Sequence, residues 1–396
     1  MIGPEFTSKS EVESNLSKTF SFSRTVQLLM GMCRINVKNG SASSPTVYQK
    51  AYTLVIAMFT IGLYYTMFAT YLNKYLVNTN LYHACELITS MHLLAYLMNL
   101  THVRFINNSD NVDFFISMQK LDCCMDLDQN KCVNEVLRQI NNLSTVLLLF
   151  FTITLVIIAT VGATLPVIVT VSAFTFSELS IILEFNHITN LMVYYTCRIR
   201  FVNSIIANHS IRISKYESQD TLLYSKQLMK ELAAKTHDLR YSDVDVYLHE
   251  IFKNFSKCQN LYQFQMFLFT CKFIIGSAVY LNIVVTGLPL NLIGNLEWVS
   301  VVSFVATNLF VALFMSIRCE IFLREVVETK QLCITILSMY TDGPIREKAR
   351  KMLKLAEASP PRFSVYGMWN IEGRFLLYLF SIITAVMLTE LQLLLL

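Results

Sequence analysis

Seven stretches of the chain are apolar over about twenty positions, the length an α-helix needs to cross a bilayer. They run over 51–72, 79–100, 144–173, 176–195, 262–288, 298–317 and 375–396. The first carries no charge, whereas the second and fourth contain Glu86, Glu178, Glu184 and His187, so hydropathy alone ranks them lower. The connections alternate in length. One set is short, at 73–78, 174–175 and 289–297; the other is long, at 101–143, 196–261 and 318–374. The long ones read as helices. Val244, Leu248, Ile251, Phe252 and Phe255 recur at three and four positions and run into the fifth span, and Ile321, Phe322, Val326, Val327, Cys333, Ile336 and Leu337 extend the sixth. The turn Thr341-Asp-Gly-Pro344 leads into a helix over 345–358, which Ser359-Pro-Pro-Arg-Phe363 stops. The expected fold is therefore all-α, with seven transmembrane helices. Its amphipathic extensions either pack together into an anchor domain or lie on the leaflet surface.

Composition agrees: 54% of residues are hydrophobic, 15% are charged and the mean hydropathy is +0.47, too apolar for a soluble domain of 396 residues. Charge then gives orientation. All of the 32 lysines and arginines except Lys74 and the intramembrane Lys272 fall on the side of the long connections. Cytoplasmic loops carry that excess, so the N-terminus is expected inside and the C-terminus outside. The domain reading is a cytoplasmic segment 1–50, spans one to six over 51–317 with connections 101–143 and 196–261, anchor helices 318–374 and a last span 375–396. Glycosylation sequons at Asn15, Asn99, Asn107, Asn142, Asn208 and Asn254 lie on or beside the basic side, where they stay unmodified. Cys123, Cys124, Cys132, Cys258 and Cys333 sit in the inner connections as thiols, and Cys123, Cys124 and Cys132 match no usual zinc spacing; they read as small buried hydrophobes.

This layout disfavours several classes. The orientation is opposite to that of a G-protein-coupled receptor, and the last span has no Asn-Pro-x-x-Tyr. A secondary transporter usually has repeats and Gly/Pro-broken helices, but here there are 11 Gly, 7 Pro and no visible repeat. An enzyme needs a catalytic constellation; the 7 histidines are scattered and no HExxH, GxSxG or P-loop occurs.

Three patches resemble the insect gustatory receptors. They are RFSVYGMWNIEGRFLLYLFSIIT at 362–384, with its aromatic-Ser-x-Tyr-Gly turn, YYTCRIRFVNSII at 194–206 and IFKNFSKCQNLYQFQMFLF at 251–269. The related odorant receptors share the architecture and are the nearest competing family, but their closing signature is not found here. The gustatory family's last helix carries Thr-Tyr, five apolar residues, then Gln-Phe, which falls on 385–393. Gln392 keeps the glutamine, while Ala385, Val386 and Leu393 stand at the other motif positions. The resemblance implies a ligand-gated, nonselective cation channel in the plasma membrane, formed as a homotetramer or as a heteromer with related receptors. The last helices of four subunits would line the pore, with Gln392 and Leu393 at the gate and Leu393 as its apolar constriction. It implies a small-molecule tastant, a sugar or bitter compound, as ligand. No cofactor, metal or nucleic acid is expected.

Spacing adds a constraint. Glu390 shares a helix face with Val386 and Leu393, whereas Gln392 lies about 200° away from Glu390, so both cannot face one pore axis squarely. Glu390 has three open readings: a ring at the outer mouth, a partner of Lys272, or a group held neutral among other polar side chains. Thin outer loops direct any ligand between the outer halves of spans two to six. His83, Glu86, Glu178, Glu184, Tyr280, Asn282 and Trp298 fall in or near that layer. They either hydrogen-bond a ligand or satisfy one another between helices. His187, deeper in its span, reads as a helix–helix contact.

Overall fold

The computed structural model describes residues 16, 18–38, 41–71, 79–125, 127, 131–161, 165–213, 243–287, 295–358 and 360–395. In chain order, α1 (Ser21–Leu29) and a hairpin of β1 (Asn36–Lys38) and β2 (Ser41–Ser43) precede α2 (Val47–Tyr71) and α3 (Thr79–Thr101). A π-helical turn, His102–Ile106, leads to α4 (Asn108–Cys124), α5 (Lys131–Thr160), α6 (Leu165–Ile213), α7 (Val244–Gly287), α8 (Asn295–Met339) and α9 (Pro344–Ala358). A second hairpin, β3 (Ser364–Val365) and β4 (Trp369–Asn370), leads into α10 (Gly373–Leu395).

The seven expected spans correspond to α2, α3, α5, α6, α7, α8 and α10. Among the described residues, four carry stretches long and apolar enough to cross a membrane, Val47–Ala69, Val133–Ile158, Val244–Val284 and Ser303–Met339, and α10 has a shorter one, Gly373–Thr389. α3 and α6 hold Glu86, Glu178 and Glu184, α7 holds Lys272 and α10 holds Glu390. One boundary differs from the sequence pattern, which puts the third connection at 174–175. α5 ends at Thr160 and α6 begins at Leu165, so Phe174 and Thr175 lie inside α6. Pro166 explains the shift: a proline in the first helical turn removes an N–H that has no intrahelical partner. A threonine is no breaker in such a helix: Thr152 and Thr189 each donate to the carbonyl four residues earlier at 2.8 Å. The expected short connection 73–78, residues 289–294 of the expected connection 289–297, and most of the connection between α6 and α7 lie outside the described residues; 295–297 belong to α8.

α6, α7 and α8 contain 49, 44 and 45 residues. At 1.5 Å per residue they are about 65–75 Å long, over twice the hydrocarbon thickness. Their extensions pack together rather than lying apart. Phe255 of α7 stacks on Phe322 of α8 with centroids 4.7 Å apart, and Phe363 meets Phe255 edge-on at 6.3 Å. Ala349, Met352 and Ala356 of α9 are buried, with α9 packed on α8 and α7. Tyr366 (φ 50°) and Gly367 (φ 73°) turn the β3–β4 hairpin, and Gln259 donates to the Ser364 carbonyl at 3.1 Å, fixing where α10 starts. Asn99 and Asn254 are buried, so neither sequon can carry a glycan in this fold. Cys258 and Cys333 are buried, but Cys123 and Cys124 are exposed at the end of α4 and are not the buried hydrophobes expected.

The segment before the first span is more structured than its sequence pattern suggests. α1 ends in a Schellman motif: Met32 N–H bonds the Gln27 carbonyl at 2.8 Å and Gly31 N–H the Leu28 carbonyl at 3.0 Å. Gly31 takes φ 75°, and a Cβ there would meet Ile56 Cδ1 at 3.3 Å. This turn sends Arg34 into the bundle.

Candidate ligand site and gate

Two buried carboxylates organise α6. The first is Glu178, thirteen residues from the start of α6 and about 20 Å along its axis. Its Oε2 accepts from Lys272 Nζ of α7 at 2.6 Å, and its Oε1 lies 2.6 Å from His92 Nδ1 of α3. His92 also stands thirteen residues from the start of its helix, so the contact is level between α3 and α6. The Lys272, His92 and Glu178 side chains are 1%, 2% and 17% exposed. An ion pair this far from water persists only because each charge has a partner; removing one leaves the other uncompensated at a cost of about 3–5 kcal/mol.

Aromatic rings enclose the cluster. His92 meets Phe174, Phe304 and Tyr280 edge-on, with centroids 5.0, 5.4 and 6.4 Å away, and Tyr280 packs on Phe304 at 4.7 Å. One turn away on the same helix as Phe174, Ser177 Oγ lies 2.7 Å from Tyr64 Oη of α2. Five helices, α2, α3, α6, α7 and α8, thus meet at this level.

The second carboxylate, Glu184, lies nineteen residues into α6, about 28 Å from its start. Arg34 holds its Oε2 from Nε at 2.9 Å and Nη2 at 2.8 Å, and Gln27 donates to Oε1 at 3.2 Å. Arg34 also donates to Asn111 Oδ1 at 3.0 Å and sits 4.2 Å above the Tyr262 ring. With its amide turned so that the oxygen faces these donors, Gln265 accepts from His102 Nδ1 at 2.7 Å and Arg34 Nη2 at 3.2 Å. A cavity of about 50 Å³, lined by Arg34, Gln27, Asn111, His187 and Tyr262 among others, adjoins this junction. His187 packs against Phe20 and Tyr262, a contact between elements. His102, just beyond α3, is lowered to about 4 by burial and then by Arg34.

Of the expected ligand-layer residues, the fold joins Glu178 and Tyr280 through His92. His83 and Glu86 pair with each other at 3.3 Å on the exposed first turns of α3. Glu184 belongs to the Arg34 junction at the far end of the bundle. Asn282 is half-buried on α7; Trp298 lies in α8, with its side chain outside the described residues. Lys272 is engaged by Glu178, and the side chain of Glu390, its other expected partner, lies outside the described residues. In α10, Val386 is half-buried and Gln392 exposed, while the side chains of Glu390 and Leu393 lie outside the described residues. His92 was not singled out by sequence; a histidine six residues from Glu86 within an apolar run was the available signal.

Among the described residues, seven long helices, three of them extended into a packed domain at one end and crossed by polar junctions, define an all-α, multi-pass architecture. The chain is similar to two solved structures of the insect olfactory receptor OR5 from Machilis hrabei, one in complex with eugenol (TM-score 0.62) and one without that ligand named (0.63). Each match has 10% identity and covers 96% of this chain and 99% of the other. This likeness shows a shared fold, that of the architecture the gustatory and odorant receptors were expected to have in common. Neither a protein-family model nor a curated protein sequence matches the chain.

Proposed function

We propose that the protein is a ligand-gated, nonselective cation channel acting as a gustatory chemoreceptor in the plasma membrane, with its N-terminus cytoplasmic. The observation that carries this reading is the fold likeness over 96% of the chain to an olfactory receptor solved with a small molecule. The exposed apolar face of α10 supports it further: Leu377, Tyr378 and Phe380 are 68, 63 and 50% exposed in one subunit, a surface that other copies or lipid must cover. Four copies of α10 around one axis form the pore. Leu393 forms the apolar constriction beside Val386, with Glu390 on the same helix face as a ring that favours cations, while Gln392, about 200° from Glu390, flanks the gate at the seam between neighbouring copies. The tastant enters from the short-loop side among the outer halves of α3, α5, α6, α7 and α8. Tyr280, Asn282 and Trp298 lie along its path, and the Glu178 cluster forms the floor. A second reading, an odorant-receptor-type subunit, is favoured by both structural neighbours being olfactory receptors.

Current recording from cells expressing the chain, against sugars, bitter compounds and volatile odorants, tests both readings. Ligand-evoked current reversing near zero is expected, and the active class separates taste from smell. Ligand-coupled uptake without conductance overturns the channel. Unchanged conductance and permeability in Glu390→Gln removes the glutamate ring.

A further inference from the structure

We propose that His92 sets the ligand class of this site by accepting a hydrogen bond from a ligand hydroxyl at Nε2. The inference rests on the chemoreceptor reading above and names the chemistry which that reading leaves open.

Proton positions follow from the contacts. Glu178 is a carboxylate because Lys272 Nζ sits 2.6 Å from its Oε2. Its other oxygen is 2.6 Å from His92 Nδ1. Two lone pairs at that separation repel, so Nδ1 carries the proton. A second proton on the ring would give one buried carboxylate two cations to balance, His92 and Lys272. The ring is therefore neutral, and Nε2 presents a lone pair. That atom is buried and, like Nδ1 and Glu178 Oε1, makes no hydrogen bond of good geometry among the described residues; it differs from Nδ1 in having no carboxylate oxygen at 2.6 Å. A buried acceptor without a donor is costly, which favours any small molecule that brings one.

The surroundings set the rest of the ligand. Phe174, Phe304 and Tyr280 present ring edges and faces around His92. Phe304 reaches this position because α7 has no side chain at Gly276, where a Cβ would come within 2.7 Å of the ring. The matching ligand is a small neutral molecule with an aromatic or compact apolar body and one O–H group, a phenol or an alcohol. Ethers, esters and ketones bring no proton for Nε2, and cations meet the Lys272 ammonium.

Matched pairs that differ only at the hydroxyl test this: 4-ethylphenol against 4-ethylanisole, and 2-phenylethanol against its methyl ether. Each is applied to cells expressing the full chain and, separately, to purified protein with binding followed by thermal stabilisation. The parent should prefer the hydroxyl member about tenfold, the value of roughly one hydrogen bond. His92→Phe should bind both members equally, and His92→Gln should retain part of the preference. The paired variant Glu178→Gln/Lys272→Met removes the buried charges together, so it stays foldable. Its amide can donate to Nδ1 and move the ring proton to Nε2, which should shift preference toward the ethers. Equal binding of both members by the parent, or a preference that survives His92→Phe, overturns the proposal. Hydroxyl-selective binding without current overturns the channel reading alone; current without selectivity overturns the His92 assignment alone.

Discussion

Asp122 and Arg198 form a fully buried pair between α4 and α6, and breaking it offers a stringent test of what holds the extension domain together. Arg198 Nη2 contacts Asp122 Oδ1 at 2.9 Å and Oδ2 at 2.8 Å, while Nε contacts Oδ1 at 3.0 Å. The guanidinium also lies 3.6 Å from the centre of the Tyr194 ring, whose hydroxyl is 2.7 Å from Oδ1. Neither side chain is more than 2% exposed. Unit charges about 4 Å apart at an effective dielectric constant near 20 attract by about 4 kcal/mol. The cation–π contact adds roughly 1 kcal/mol. Arg198→Met removes both and leaves Asp122 buried with only a tyrosine hydroxyl as donor. The expected loss is about 3–5 kcal/mol. For a chain of this size, that lowers the apparent Tm by about 4–6 °C, read as loss of the monodisperse peak on heated size-exclusion chromatography. Asp122→Leu/Arg198→Met removes the stranded charge as well, and should recover to within about 1 kcal/mol of the parent. A single variant costing under about 1 kcal/mol, or a double variant no better than the single, refutes the reasoning.

Three further outcomes follow. Arg34→Met should lower the apparent Tm by a similar amount, because Glu184 loses both guanidinium contacts; Arg34→Met/Glu184→Leu should restore most of it, measured the same way. His102 is depressed from 6.5 to about 4, so it is neutral in the fold and protonates more readily when unfolded. Its stabilising effect is whole above pH 6.5 and lost as pH falls from 6.5 toward 4, and His102→Gln should flatten a Tm-versus-pH series across that window. Burial raises the Cys333 thiol to about 12, whereas Cys123 and Cys124 are exposed. Maleimide at neutral pH should label the α4 pair in native protein and reach Cys333 only after denaturation, as peptide mass mapping will show.

Hydrophobic runs made the seven helices legible, because crossing a bilayer leaves a signal in composition that no tertiary contact has to supply. The 3–4 periodicity of Val244 to Phe255 likewise foretold the unbroken helix α7, and Thr341–Pro344 foretold the start of α9. The α5–α6 boundary was harder, since Gly162 and Pro166 sit in a run as apolar as its flanks. Pairing was not legible at all. Glu178, Glu184 and Lys272 stood out as intramembrane charges, but Arg34 lies 150 residues from its partner and Lys272 lies 94 from its own. Only the packing of α6 against α7 and the turn at Gly31 brings them together. His92 was hidden for the same reason: a histidine six residues from Glu86 in an apolar run marks an intramembrane imidazole, but not the carboxylate on another helix that holds it.

The two clamped carboxylates of α6 are six residues apart, which places them about 240° apart around its axis. Glu178 is fastened toward α3 and α7, and Glu184 toward the segment preceding the first span. A rod pinned at two such azimuths cannot turn about its own axis without breaking one pin. Tilting, bending or sliding in step with its partners remains open to it. Movement at the His92 level therefore reaches the Arg34 junction as a displacement of α6 rather than as a twist.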